Sequence, residues 1–125
     1  MIISIINLNF ERVIMEDPVQ HQLKAFNNRD VEAFMEAYSP EITVEDGSGE
    51  KMMSGSEEIR AFYTELFNNS PDLHCEVVNR TTVGDWIIDE EKLQGLNAEG
   101  FPEEAHAVVA YTVSNGQITF VRMFS

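Results

Sequence analysis

Asp89 and Glu91 lie two residues apart in a run that alternates like a strand, so both carboxyls point to one face, between Ile87 and Leu93. Two acids held among apolar neighbours raise each other's pKa, and acid–base sites use that pattern. The same spacing also suits a solvated strand edge that only keeps the protein soluble. His106 shares a strand face with Val108 and Ala110. It reads either as a site residue beside an acidic cavity or as a structural histidine with its hydrogen bonds satisfied. His21 falls on the first helix and His74 at a strand start. Zinc sites usually show short-spaced His or Cys pairs, and here these residues are scattered, so no metal and no cofactor is expected. Cys75 has no Lys or Arg close by in sequence to lower its pKa and reads as a small core or interface residue. Phosphate-binding glycine loops and nucleophile-elbow motifs are absent from the sequence, which sets aside kinase, ATPase, dehydrogenase and hydrolase-triad chemistry.

The elements that must position these groups follow from periodicity. Asp17-Pro18 starts a helix with Val19, Leu23 and Phe26 on one face. Asp30 caps a second helix that buries Val31, Phe34, Met35 and Tyr38 and stops at Ser39-Pro40. Residues 41–46 alternate as a strand, and Met52-Met53 continue as a short second one. A third helix follows with Ser56 as the expected cap. From Leu73 the period becomes two. Strands are expected over Leu73–Val83, Trp86–Leu96, Ala105–Val113 and Gln117–Phe124, with hairpin turns at Gly84-Asp85 and Asn115-Gly116. Helices grouped ahead of strands indicate α+β: a cone-shaped, curved antiparallel sheet wrapped around three N-terminal helices, with an apolar interior.

The chain has 125 residues, enough for one domain, and 43% of them are hydrophobic, enough for a core. Its 22 acids against 8 bases give a net charge of −14. That balance argues against nucleic acid and against anionic membrane surfaces. No apolar run reaches the roughly 20 residues of a membrane span. A single cysteine cannot form an intramolecular disulfide, which fits a reducing, cytoplasmic setting. Residues 1–14 lack the features of a secretory signal and precede a second methionine, Met15. They read as an N-terminal extension ahead of a single domain over residues 15–125, or equally as an ordinary first strand or helix leader.

Three stretches carry a family resemblance: Arg29-Asp30-Val31-Glu32-Ala33-Phe34, Val44-Glu45-Asp46-Gly47, and Gly55 through Ile59 to Phe62-Tyr63. Together with Val83-Gly84-Asp85-Trp86 and Asn115-Gly116-Gln117-Ile118, they resemble the nuclear transport factor 2-like superfamily, in its SnoaL-like and ketosteroid isomerase-like branch. The resemblance covers roughly residues 17–125. It implies a cystatin-like α+β roll with a ligand pocket at its mouth, and a homodimer formed through the open sheet face.

In the isomerases of that branch the last residue of Val-Glu-Asp is the general base, and Asp46 matches it. Their oxyanion donors are a first-helix tyrosine and a protonated aspartic acid on a late strand. Here those positions fall at Gln22 and near Val108 or Val109. Loss of one such donor costs about 100- to 1000-fold in rate, so a steroid-isomerase activity of the usual kind is not expected. Gln22, Tyr38, Tyr63, Tyr111 and His106 are substitute donors. The resemblance therefore points to a pocket for a small, largely apolar molecule. Its expected catalytic set is Asp46 as base with His106, Asp89 and Glu91 as helpers. Met53, Phe62, Trp86, Val121 and Met123 would form walls of the pocket or plain core. The alternative is a non-catalytic binding or protein-interaction module of the same fold.

Overall fold

The computed structural model describes residues 17–125. The expected extension, residues 1–14, lies outside the described residues. Helix α1 spans Pro18–Asn28. The Asp17 carboxylate caps it by accepting from the Gln20 backbone N–H at 2.9 Å, and Arg29 ends it in the left-handed region at φ 52°. Helix α2 spans Val31–Glu36, and the Asp30 side chain accepts from the Ala33 N–H at its start. Strand β1 spans Tyr38–Asp46 and β2 Lys51–Ser54. Helix α3 spans Ser56–Asn69. Strands β3 (His74–Val83), β4 (Trp86–Gln94), β5 (Ala105–Ser114) and β6 (Gln117–Phe124) complete the chain.

Strand ends in β3, β4 and β5 shift by one or two residues from the sequence reading, and larger differences lie around α2, β1 and α3. Helix α2 stops at Glu36, and β1 already begins at Tyr38 and runs through Pro40. Its pairing with β6 slips between Tyr38 and Thr43, and such an irregularity is where a strand tolerates proline. The cap residue of α3 is Gly55, with no side-chain hydrogen bond, rather than Ser56.

The strands form one six-stranded sheet in the order β2-β1-β6-β5-β4-β3. It is mixed rather than wholly antiparallel, because β1 runs parallel to β6 while its other pairs are antiparallel. The helices cover one face. Phe26 of α1, Phe34 of α2, and Tyr63 and Phe67 of α3 pack ring against ring, with Phe26 and Phe67 edge-on at 5.6 Å. Asn27 fastens α1 to β3. Its amide donates to the Cys75 carbonyl at 3.0 Å and its oxygen accepts from the Cys75 N–H at 2.7 Å. Among the described residues no helix is long and apolar enough to cross a membrane.

The register fixes which residues face the helices. Asp89 pairs with Val109, Glu91 with Ala107 and Ile87 with Tyr111, so these side chains share the inner face. Strand β3 contains a bulge between Val77 and Asn79. Without it Asn79 would stand opposite Asp89. With it Arg80 does, and a cation enters the inner layer.

Candidate functional site

A cavity of about 100 Å³ lies between the helices and the inner face of the sheet. Gln22 and Phe26 of α1 and Tyr63 of α3 form its roof. Tyr38 closes one wall, and Cys75, Glu91 and Tyr111 come from the sheet, with Val121 and Met123 beside them. Most of the lining is apolar or aromatic, and its polar atoms form a chain. The Tyr38 hydroxyl donates to Gln22 Oε1 at 3.3 Å. Gln22 Nε2 donates to the Val19 carbonyl at 3.1 Å and to Tyr111 Oη at 3.3 Å. The Tyr111 hydroxyl donates to Glu91 Oε2 at 3.1 Å. From Tyr38 through Gln22 and Tyr111, the donors run in one direction to the carboxyl of Glu91.

Glu91 is only 6% exposed. Burial pushes its pKa up, and the neighbouring Asp89 charge adds to the rise, bringing it to about 7. The hydrogen bonds from Tyr111 and Cys75 and the charge of Arg80 oppose this without cancelling it. Asp89 itself is fully buried. Arg80 grips it with two parallel bonds, Nε to Oδ1 at 2.7 Å and Nη2 to Oδ2 at 2.9 Å, and its third arm reaches Gln20 Oε1 at 3.2 Å. Two carboxyls two residues apart thus have different partners: Asp89 has a cation, Glu91 only neutral donors. Burial also raises the Cys75 thiol and the Tyr38, Tyr63 and Tyr111 hydroxyls, which keeps all four protonated at neutral pH.

The expected site residues separate into two groups. Glu91, Gln22, Tyr38, Val121 and Met123 meet at the cavity, and Asp89 stands behind Glu91 on the same face. The others lie elsewhere. Asp46 sits at the end of β1, and its Oδ1 turns back onto the β1–β2 turn. It accepts from the Ser48 hydroxyl at 2.6 Å and from the Ser48 and Glu50 N–H groups at 2.9 and 3.0 Å. The Ser48 hydroxyl, then the backbone bonds, hold this carboxyl below the usual range, which makes it a weak base. His106 lies on the outer face of the sheet, exposed, with Nε2 2.7 Å from Glu90 Oε2. Val108 shares that outer face, since it pairs with Glu90 rather than Glu91. Trp86 is also outside and packs edge-on against Phe120 at 6.1 Å. Phe62 packs between Tyr63 and Phe101, and Met53 rests on the core; neither lines the cavity.

Arg80 and Tyr63 carry more weight here than the sequence suggests. Arg80 becomes visible only through the β3 bulge, which leaves no sequence signal of its own. Among the described residues no group of three or more His, Cys, Asp or Glu side chains is placed to hold a metal ion.

The SnoaL-like domain family matches residues 19–121. No curated protein matches the chain significantly. Among solved structures, a cystatin-fold protein from Novosphingobium aromaticivorans is 19% identical with a TM-score of 0.78, over 89% of this chain and 99% of the other. A protein described as a SnoaL-like polyketide cyclase, from Jannaschia sp. CCS1, is 24% identical with a TM-score of 0.67, over 86% and 84% of the two chains. A protein of ketosteroid isomerase-like fold from Catenulispora acidiphila, in complex with trimethylamine, is 17% identical with a TM-score of 0.67, over 89% and 86%. At these identities the likeness is one of fold: α+β, cystatin-like and nuclear transport factor 2-like.

Proposed function

The chain belongs to the SnoaL-like domain family, and on that premise we propose that its interior cavity binds a small, largely apolar molecule and exchanges a proton with it through Glu91. The observation that carries this reading is a nearly buried carboxyl in the wall of an apolar cavity, fed by a directed chain of hydrogen bonds. A group that ionises near 7 is suited to both accept and donate a proton at neutral pH. The volume bounds the part of a ligand held inside. A cavity of roughly 150 Å³ takes up benzene, and this one is smaller, so the group it encloses has no more than about six heavy atoms. A steroid does not fit that space. The trimethylamine bound by the Catenulispora acidiphila protein is of the permitted size.

This reading moves the acid–base role from Asp46 to Glu91. A panel of molecules of up to about six heavy atoms, screened by backbone amide shifts, tests it. Ligands are expected to shift the amides around Tyr111 and Glu91. Asp46→Asn should leave their affinity within about twofold, since the change lies in a solvated turn. Glu91→Gln should remove the dependence of binding on pH near 7. If Asp46→Asn abolishes binding while Glu91→Gln leaves it intact, the roles are reversed.

We also propose that two copies associate through the outer sheet face. Trp86, Val108 and Phe124 are exposed there, with Val108 and Phe124 directly paired across β5 and β6. Val108→Asp is expected to convert a dimer to a monomer by sedimentation velocity. A native chain that sediments as a monomer at about 100 µM, where an interface of ordinary affinity is saturated, contradicts this.

A further inference from the structure

Resting on the cavity reading above, we infer that the ligand is a small alkylammonium ion. The inner layer brings two carboxyls, Asp89 and Glu91, together with one guanidinium, Arg80. Both inward bonds of Arg80 are spent on Asp89, and its remaining arm is held by Gln20. The partners of Glu91 are the Tyr111 hydroxyl and the Cys75 thiol, both neutral. The site is therefore one positive charge short whenever Glu91 is ionised. A ligand that supplies that charge turns an unfavourable buried carboxylate into a paired one. A neutral ligand leaves the shortage, and an anion deepens it.

The walls fit the same class. Phe26, Tyr38, Tyr63 and Tyr111 present aromatic rings to the cavity, and such rings attract cations through their negative faces while also burying methyl groups. The Tyr63 hydroxyl makes no hydrogen bond with the described residues, although Tyr63 is 8% exposed and lines the space. Its oxygen is available to accept from an ammonium N–H. The limited volume restricts the alkyl part to a few carbons. At long range the net charge of −14 draws cations in and repels anions.

The charged groups that act on Glu91 are Asp89 from β4 and Arg80 from β3. Around them stand Cys75, Tyr38, Tyr63 and Tyr111, all protonated near neutrality. A bound cation and a proton on Glu91 therefore compete. Affinity for the cation should fall as pH drops below 7, by up to about tenfold per unit.

The test compares isopropylammonium chloride with its neutral counterpart 2-propanol and with isobutyrate. Binding is followed by calorimetry and amide shifts at pH 8 and pH 6. Isopropylammonium is expected to bind at least about tenfold more tightly than 2-propanol at pH 8. That preference should collapse in Glu91→Gln and shrink at pH 6, and isobutyrate should not bind. Equal affinity for isopropylammonium and 2-propanol, or a preference that survives Glu91→Gln, overturns the inference while leaving the cavity reading standing. Xenon reports on the cavity without regard to charge. If neither xenon nor any of the three probes enters, both fail together.

Discussion

Arg80→Met is expected to cost about 3–5 kcal/mol of stability, measured by urea unfolding at pH 7. Asp89 is fully buried, and its two oxygens are held by the two inward nitrogens of Arg80. Removing the guanidinium leaves a carboxylate with neither water nor a counter-charge. Arg80→Lys should recover only part of the loss, because an ammonium cannot match both carboxylate oxygens at once. The double variant Arg80→Met with Asp89→Leu should be far less damaged than Arg80→Met alone, since it removes the stranded charge as well as its partner. A loss within about 1 kcal/mol for Arg80→Met would place the pair among ordinary surface ion pairs and remove it as the frame behind Glu91.

Glu91→Gln should act in the opposite direction and stabilise the fold above pH 7. The ordinary pKa of the group is 4.5, and in the folded chain it stands at about 7. Between those values the folded state holds more protons than the unfolded state, so stability falls as pH rises across that window. Below about 4.5 the group is protonated in both states and contributes no penalty. Above about 7 the penalty is complete, at about 3 kcal/mol. The amide has no charge to bury and its oxygen can still accept from the Tyr111 hydroxyl. The variant should therefore show a gain of about 2–3 kcal/mol at pH 8 and little at pH 4. Stability given up to keep a reactive group is a common trade in functional sites. A gain that is the same at both pH values would mean that the carboxyl is not the source of the penalty.

How far the site was legible follows from the strands themselves. In β4 the acids at 89 and 91 alternate with Ile88, Glu90 and Lys92, so a shared face was plain from spacing. Their inward direction was not, because acids and apolar residues occur on both faces of that strand. The same ambiguity misplaced His106 and Val108. Strand β5 carries Ala107, Val109 and Tyr111 on one face and Val108 and Ala110 on the other, and alternation in so apolar a segment does not say which side is the core. The pairing with β4 decides it.

Asp46 illustrates a different limit. It shares a strand face with Val44, which lines the cavity, so its place along the chain suits a base. Gly47, Ser48 and Gly49, which follow, allow a tight turn, and the carboxyl is consumed in capping it. Hairpin turns were easier to read. Asn115 and Gly116 both adopt positive φ, 54° and 77°, as an Asn-Gly hairpin turn requires. The parallel pairing of β1 with β6 and the β3 bulge are tertiary facts, set by how the sheet curves under the helices, and neither leaves a local pattern.

The most direct test of the account is a carbon-13 NMR titration of the side-chain carboxyls in the native chain, with Glu91 assigned through Glu91→Gln. The Glu91 signal is expected to titrate with a midpoint near 7, while Asp46 titrates below the ordinary aspartate range. A Glu91 midpoint near its ordinary value of 4.5 would contradict the account, because it would mean that the carboxyl is solvated and the cavity has no acid–base group.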